Sequence, residues 1–203
     1  MDKDVIILLV NGFCVIVTVY CFVSDYYVIA LVGMVSNFFL SFYKLIFGRY
    51  FFSIGIKAKN NKNYKKAINY FNKGFQVYPS FSGFLVNLGL IYFDLKDYEK
   101  AIEFYNKTIE VDPNYAEAYS NLGLIYCLQA QDFSEKATTD VNNPKYKEDQ
   151  ATLKVFYEKA RPNYEKAREL KPEQKDLWLN GLYRVYYNLQ MGPEFDEIEK
   201  LMQ

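Results

Sequence analysis

Histidine is absent from the 203 residues. That removes the commonest general base and the commonest metal ligand, so neither a catalytic site nor a metal centre is expected. Cysteine is scarce. Cys14 and Cys21 lie in one apolar run and Cys127 stands far from both. No pair has metal-ligand spacing and the odd count argues against a disulfide framework, so all three read as small packing residues. Net charge is absent too: 24 basic and 24 acidic residues cancel, which leaves no electrostatic reason to expect nucleic acid as a partner. No glycine-rich phosphate loop, nucleophile elbow or carboxylate cluster stands out, so no cofactor is implied and an enzyme is not expected. Asn106-Lys107-Thr108 matches a glycosylation acceptor, but it falls in a helical pattern beside Ala101 and Tyr105, where chance explains it.

Charge is also missing locally. Before Gly48 only Asp2, Lys3, Asp4, Asp25 and Lys44 are charged. This break separates an apolar segment, 1–47, from a soluble domain, 48–203. Val5 to Val23 runs 19 residues without a charge; as a helix it would be roughly 28 Å long, close to the ~30 Å hydrocarbon core of a bilayer. Tyr26 to Phe47 is a second apolar run, and Ser24-Asp25 is the polar break between them. Two membrane helices joined by a tight turn fit this pattern, as does a single span. Tyr20, Phe22, Tyr26 and Tyr27 flank the turn, and Phe42, Tyr43, Phe47, Tyr50, Phe51 and Phe52 flank the exit, where amphipathic rings favour the interface. Lys44, Arg49, Lys57 and Lys59 follow the second run, which by the positive-inside rule puts the C-terminal domain in the cytoplasm. Two other readings compete. The segment could be a signal or an outward-facing anchor of an exported, periplasmic protein of the cell envelope, although no small-x-small cleavage site follows the first run. It could also be a strand pair, since Val and Ile are frequent and Asn11-Gly12 is a hairpin turn signal.

What the soluble part has is a period. Leu88-Gly89-Leu90-Ile91-Tyr92 returns 34 residues later as Leu122-Gly123-Leu124-Ile125-Tyr126, and Pro79 and Pro113, Ala67 and Ala101, and Gly55, Gly89 and Gly123 recur at the same spacing. Such a period marks an all-α solenoid of stacked helix pairs. Repeats start at Gly48, Ser82 and Ala116. The second supplies Leu85, Leu88, Gly89, Tyr92, Ala101, Tyr105 and Pro113, with Thr108 in a place where Ala is usual. The first supplies Phe51, Ile54, Gly55, Ala67, Phe71 and Pro79, and departs at Ala58 and Gly74. In these residues the chain resembles the tetratricopeptide repeat family. Gly and Ala at fixed places let the two helices of a pair approach, aromatics fill the space between pairs, and proline stops the second helix.

The third repeat, 116–174, departs from the period. Its first helix matches through Tyr119, Leu122, Gly123 and Tyr126, but the second-helix signature arrives 25 residues late, as Ala160, Tyr164, Ala167 and Pro172. The extra residues read as an inserted helical arm over about 130–155. A helix continues to about Ala137, Thr138 to Pro144 is a turn, and Lys145 to Leu170 is one long helix. Tyr146, Leu153, Ala160 and Ala167 recur every seven residues along it, the seam of a paired helix. Both helices should be lengthened by roughly three turns, about 15 Å, and Pro162 should bend the second or begin a new one. A degenerate pair, 175–203, caps the array: Trp178 opens it, Gly181-Leu182 blurs the signature, and Met191-Gly192-Pro193 is the turn.

The resemblance implies a groove lined by the first helix of each pair, at positions two, five, nine, twelve and thirteen of the repeat. These are Arg49, Phe52, Ile56, Lys59 and Asn60 in the first repeat; Gly83, Val86, Leu90, Phe93 and Asp94 in the second; Glu117, Ser120, Leu124, Cys127 and Leu128 in the third; and Asp176, Leu179, Tyr183, Tyr186 and Tyr187 in the last. Phe52, Ile56, Val86, Leu90, Phe93, Asp94, Leu124, Tyr183, Tyr186 and Tyr187 make up the candidate binding set. It is mostly apolar and aromatic, which suits an amphipathic helix or an apolar peptide of a protein partner. The same residues could equally be core, covered by neighbouring helices. Some family members grip the C-terminal carboxylate of chaperones. Here Asn87 and Asn121 occupy position six, but the lysines and arginine of such a clamp have no counterpart at matching positions. The expected function is therefore a membrane-anchored adaptor or scaffold.

Overall fold

The computed structural model of the chain describes residues 4–10, 13–19 and 25–202, with side chains placed at 37 and 39–202. The turn signal Asn11-Gly12, the aromatics Tyr20 and Phe22, Cys21 and Ser24 lie outside the described residues, as do the side chains of Cys14, Tyr26 and Tyr27. The chain divides into two compact units, 1–47 and 48–203.

The front end differs from the helical hairpin expected of it. Two strands, β1 (Asp4–Val10) and β2 (Phe13–Val19), pair antiparallel with Asp4 opposite Val19 and Val10 opposite Phe13. The physical reason is composition. Val5, Ile6, Ile7, Val10, Val15, Ile16, Val17, Thr18 and Val19 are β-branched, stiff at χ1 and better suited to a pleated surface than to a helix. Each strand has seven residues, and among the described residues no third strand joins the pair; hydrocarbon does not tolerate an open edge. One helix among the described residues is long and apolar enough to cross a membrane, Phe39–Asn60. It belongs to α1, which runs from Asp25 to Asn60.

From Gly48 onward every described element is helical. The C-terminal part of α1 pairs with α2 (Tyr64–Val77), α3 (Gly83–Asp94) with α4 (Tyr98–Val111), α5 (Ala116–Ser134) with α6 (Tyr146–Leu170), and α7 (Leu179–Asn188) with α8 (Gly192–Met202). A 3-10 turn, Lys175–Leu177, leads into α7. The first three pairs are closed by the same device. The glycine of the first helix lies against the aromatic of the second: Gly55 on Phe71, Gly89 on Tyr105, Gly123 on Tyr164. A methyl added at Gly89 would meet the Tyr105 ring at 2.6 Å, and one at Gly123 would meet Tyr164 at 2.7 Å. Only a bare backbone permits this approach.

The turns repeat as well. Asn63 and Asp97 cap α2 and α4, accepting hydrogen bonds from the N–H of Lys66 at 3.1 Å and of Lys100 at 3.2 Å. Lys62, Lys96 and Gln190 each take positive φ at the corresponding bend. The core is split in chain order. One cluster holds Ala58, Phe71, Phe84, Leu88 and Ile91, a second Val86, Tyr105, Ala118, Leu122 and Ile125, and a third Tyr164, Trp178, Leu182, Val185 and Ile198. Each joins one pair to the next, as expected of a stack stabilised by nearest-neighbour interfaces.

The third pair is the long one. α5 has 19 residues and α6 has 25, against 12 and 14 in α3 and α4. The extension is therefore about two turns on one helix and about three on the other. α6 runs through Pro162 without a break. The connecting loop is knit by local bonds: Asp140 Oδ1 accepts from Asn142 N–H at 2.9 Å, Asn143 Oδ1 from Lys145 N–H at 2.9 Å, and Asp149 Oδ2 from Thr138 N–H at 2.9 Å. Asp149 is buried, and that bond satisfies it.

Candidate functional site

The first helices carry the candidate set on a face bounded by their own core. Phe52 and Ile56, on α1, are half-buried against the first cluster; the Phe52 ring stands 5.7 Å from Phe84 and 6.0 Å from Phe71. On α3, Leu90 and Phe93 are half-buried and Asp94 is exposed. Phe93 packs on Tyr98 at 5.9 Å, and the Tyr64 hydroxyl donates to Asp94 Oδ2 at 3.1 Å. That bond, after burial, holds the Tyr64 phenol above its ordinary pKa. On α5, Leu124 is half-buried. On α7, Tyr183 packs on Phe195 at 4.9 Å, and Tyr187, 66% exposed, lies 5.8 Å from the same ring.

Two members of the set sit inside the core. Val86 is 5% exposed, enclosed with Ala101, Tyr105, Ala118 and Leu122, because the next pair closes over its side of α3. Tyr186 is 4% exposed, and its hydroxyl donates to Glu165 Oε1 at 3.2 Å. Burial first, then the Glu165 carboxylate, pushes that phenol up to about 12. Neither side chain lines an open surface.

The face contains polar atoms as well. Lys59 Nζ donates to Asn87 Oδ1 at 2.6 Å, and Asn87 Nδ2 donates to the Gly83 carbonyl at 2.7 Å. The position-six asparagine of the second repeat is thus held from both ends. Two cavities open along α7. One, of about 100 Å³, is lined by Leu124, Cys127, Tyr164, Asn180, Gly181 and Arg184. The other, of about 590 Å³, is lined by Asn180, Tyr183, Arg184, Tyr187, Asn188 and Met202. Asn180 and Arg184 line both, and neither belongs to the candidate set. The signal for Asn180 was its place at position six of the last pair, a position not among the five taken to line the groove.

Burial pushes the Cys127 thiol up to about 11, where the nucleophilic thiolate is negligible near neutrality. Among the described residues no group of three or more metal-ligating side chains comes together. The arrangement offers aromatic and aliphatic contact area with a few fixed hydrogen-bonding groups, the composition of a recognition surface.

The family described as TPR repeat matches residues 89–129. No curated protein matches the sequence. Among solved structures, the chain is similar to the Sgt2 TPR domain of Aspergillus fumigatus, at 25% identity over 70% of this chain and 79% of that one, with a TM-score of 0.52. It is similar to the first TPR of Spaghetti (RPAP3) bound to the HSP90 peptide SRMEEVD, at 21% identity over 70% and 93%, with a TM-score of 0.52. It is also similar to a mutant O-GlcNAc transferase of Thermobaculum terrenum, at 19% identity and a TM-score of 0.51 over 70% of this chain; it spans 22% of that enzyme's length. The matched repeat over 89–129, the recurrent helix pairs and the shared fold together make the part from Gly48 onward an all-α TPR helical array.

Proposed function

We propose that the protein is a membrane-anchored adaptor whose first-helix face holds an apolar segment of a partner polypeptide. The observation that carries this reading is the run of accessible apolar side chains on three successive first helices: Leu90 and Phe93, then Leu124, then Tyr183 and Tyr187. An amphipathic helix or an extended apolar segment presents anchors that suit such a face. The RPAP3 domain takes an acidic peptide. In this chain Phe52, Ile56 and Leu90 occupy the face, Lys59 is engaged by Asn87, and the exposed Asp94 adds negative charge. An acidic tail is a poor fit.

The anchoring half of the proposal rests on α1. Its C-terminal end is committed to the first repeat through Phe52, Ile56 and Ala58. Asp25 to Phe47 remains, about 23 residues or roughly 34 Å of helix, enough for a ~30 Å hydrocarbon core. Arg49 and Lys57 follow it, which favours a cytoplasmic repeat domain.

The test is selection of peptides from a random display library by the full chain in lipid nanodiscs. Peptides with spaced apolar anchors should be enriched and should bind the Phe93→Asp and Leu90→Asp variants at least tenfold more weakly, with far-ultraviolet circular dichroism unchanged. Equal binding by folded variants would remove the face from the proposal. A reporter fused after Gln203 that is active only when exported would reverse the orientation.

A further inference from the structure

Between Asp25 and Asp94 the chain has no acidic residue and eight basic ones. Seven of the eight fall in the first repeat. The structure shows where they go. On α2 the exposed residues are Lys65, Lys66, Asn69, Asn72, Lys73 and Gln76. At 100° per residue they fit within a third of the helix circumference, opposite buried Ala67, Phe71 and Gly74. The outer face of α2 is thus lysine and amide with no carboxylate. Lys57 and Arg49 on α1 and Lys62 in the bend are exposed as well.

The second repeat shows what the same face normally carries. Thirty-four residues on, Lys65, Asn69 and Gln76 become Glu99, Glu103 and Glu110, while Lys66 and Lys73 remain lysine as Lys100 and Lys107. Lys100 pairs with Asp97 at 2.7 Å and Lys107 with Glu103 at 2.5 Å. Among the described residues Lys62, Lys65, Lys66 and Lys73 form no ion pair; Lys73 lies 5.8 Å over the Tyr70 ring. Tyr70 in turn packs on Phe51 at 6.2 Å, and neighbouring Tyr50 is 56% exposed. Lys73, Tyr70 and Phe51 therefore adjoin in the first repeat, and no carboxylate within the repeat neutralises its lysines.

We propose that this outer face of the first repeat, Lys62, Lys65, Lys66 and Lys73 with Tyr50 and Tyr70, docks on an anionic phospholipid surface. Charge complementarity is the first argument, since unpaired lysines near a bilayer are drawn to acidic headgroups. The second is the aromatic content, because amphipathic rings settle at headgroup depth. The third is continuity: the helix that begins this repeat is the one that carries the apolar stretch. The third argument rests on the anchoring reading; the first two do not.

The experiment uses the full chain reconstituted in neutral phosphatidylcholine vesicles and in vesicles containing about one-third phosphatidylserine. Amine acylation followed by mass spectrometry reads each lysine. Lys62, Lys65, Lys66 and Lys73 should react about fivefold or more slowly on the anionic vesicles, and about 0.5 M salt should restore the rate, since surface attraction is screened over a few ångströms there. Lys100 and Lys107 should react alike on both. Equal rates for the four lysines on both vesicles would overturn the proposal. Slowing by a single-stranded RNA oligomer on neutral vesicles, with none from anionic lipid, would also overturn it and assign the face to nucleic acid. The anchoring reading is checked separately, by alkaline carbonate extraction from neutral vesicles. Extraction there, with protection retained on anionic vesicles, would sink the anchor and leave the headgroup site standing.

Discussion

The first and second repeats are alike inside and unlike outside. Gly55 faces Phe71 as Gly89 faces Tyr105. Asn63 caps α2 as Asp97 caps α4, and Lys62 and Lys96 turn with positive φ at the same bend. On the outer face of the second helix the resemblance stops. The first repeat presents three lysines among amides, while the second alternates Glu99, Lys100, Glu103, Lys107 and Glu110. The inner positions are dictated by packing and cannot vary freely. The outer ones contribute little to the fold and are free to set where the protein sits.

The largest effect should come from breaking the shared interior. Gly89→Val drives a methyl into the Tyr105 ring and is expected to cost about 3 kcal/mol, read from the midpoint of urea unfolding. Removing a cap costs less. Asn63→Ala leaves the Lys66 N–H without its acceptor and should lower stability by about 1 kcal/mol. Tyr105→Phe makes the second repeat copy the first, where Phe71 holds that place. The Tyr105 hydroxyl is buried without a partner, so this change should raise stability by about 0.5–1 kcal/mol; a loss would show that the hydroxyl has a role.

The two caps should also differ in pH dependence. The Lys100 side chain first, then its backbone N–H, holds the Asp97 carboxyl below the ordinary carboxylate range. Its folded pKa is lowered, so the stabilisation is full above the unfolded value and is lost as pH falls through the lowered one. Asp97→Asn should flatten the acid limb of the stability curve, and no such limb should arise from Asn63. The smallest effect on stability should come from exchanging the outer faces. Glu99→Lys with Glu103→Asn and Glu110→Gln should barely move the melting temperature, yet should make Lys107 newly protected on anionic vesicles.

Much of the array could be read from residue spacing, because the glycine–aromatic contacts and the caps recur at one interval. The late arrival of Ala160 and Tyr164 marked the long third pair for the same reason. The front end was harder. An uncharged run of Val and Ile has no periodicity that separates helix from strand, and the choice fell to β-branching. On the candidate face, Val86 and Leu90 both sit at groove positions, one helical turn apart, and only packing shows that one is enclosed and the other half-open. Tyr186 and Tyr187 are adjacent in sequence and differ just as sharply. Asn180 and Arg184 escaped because they sit at positions six and ten, outside the five taken to line the groove.

Hydrogen exchange on the full chain in anionic nanodiscs, with and without a selected peptide, tests the central claim most directly. Relative to neutral nanodiscs, anionic lipid should add protection to α2, and peptide should add protection along α3, α5 and α7 while α4 stays unchanged in every state. Peptide-dependent protection confined to α4 and α6, with α3, α5 and α7 unaffected, would contradict a first-helix binding face.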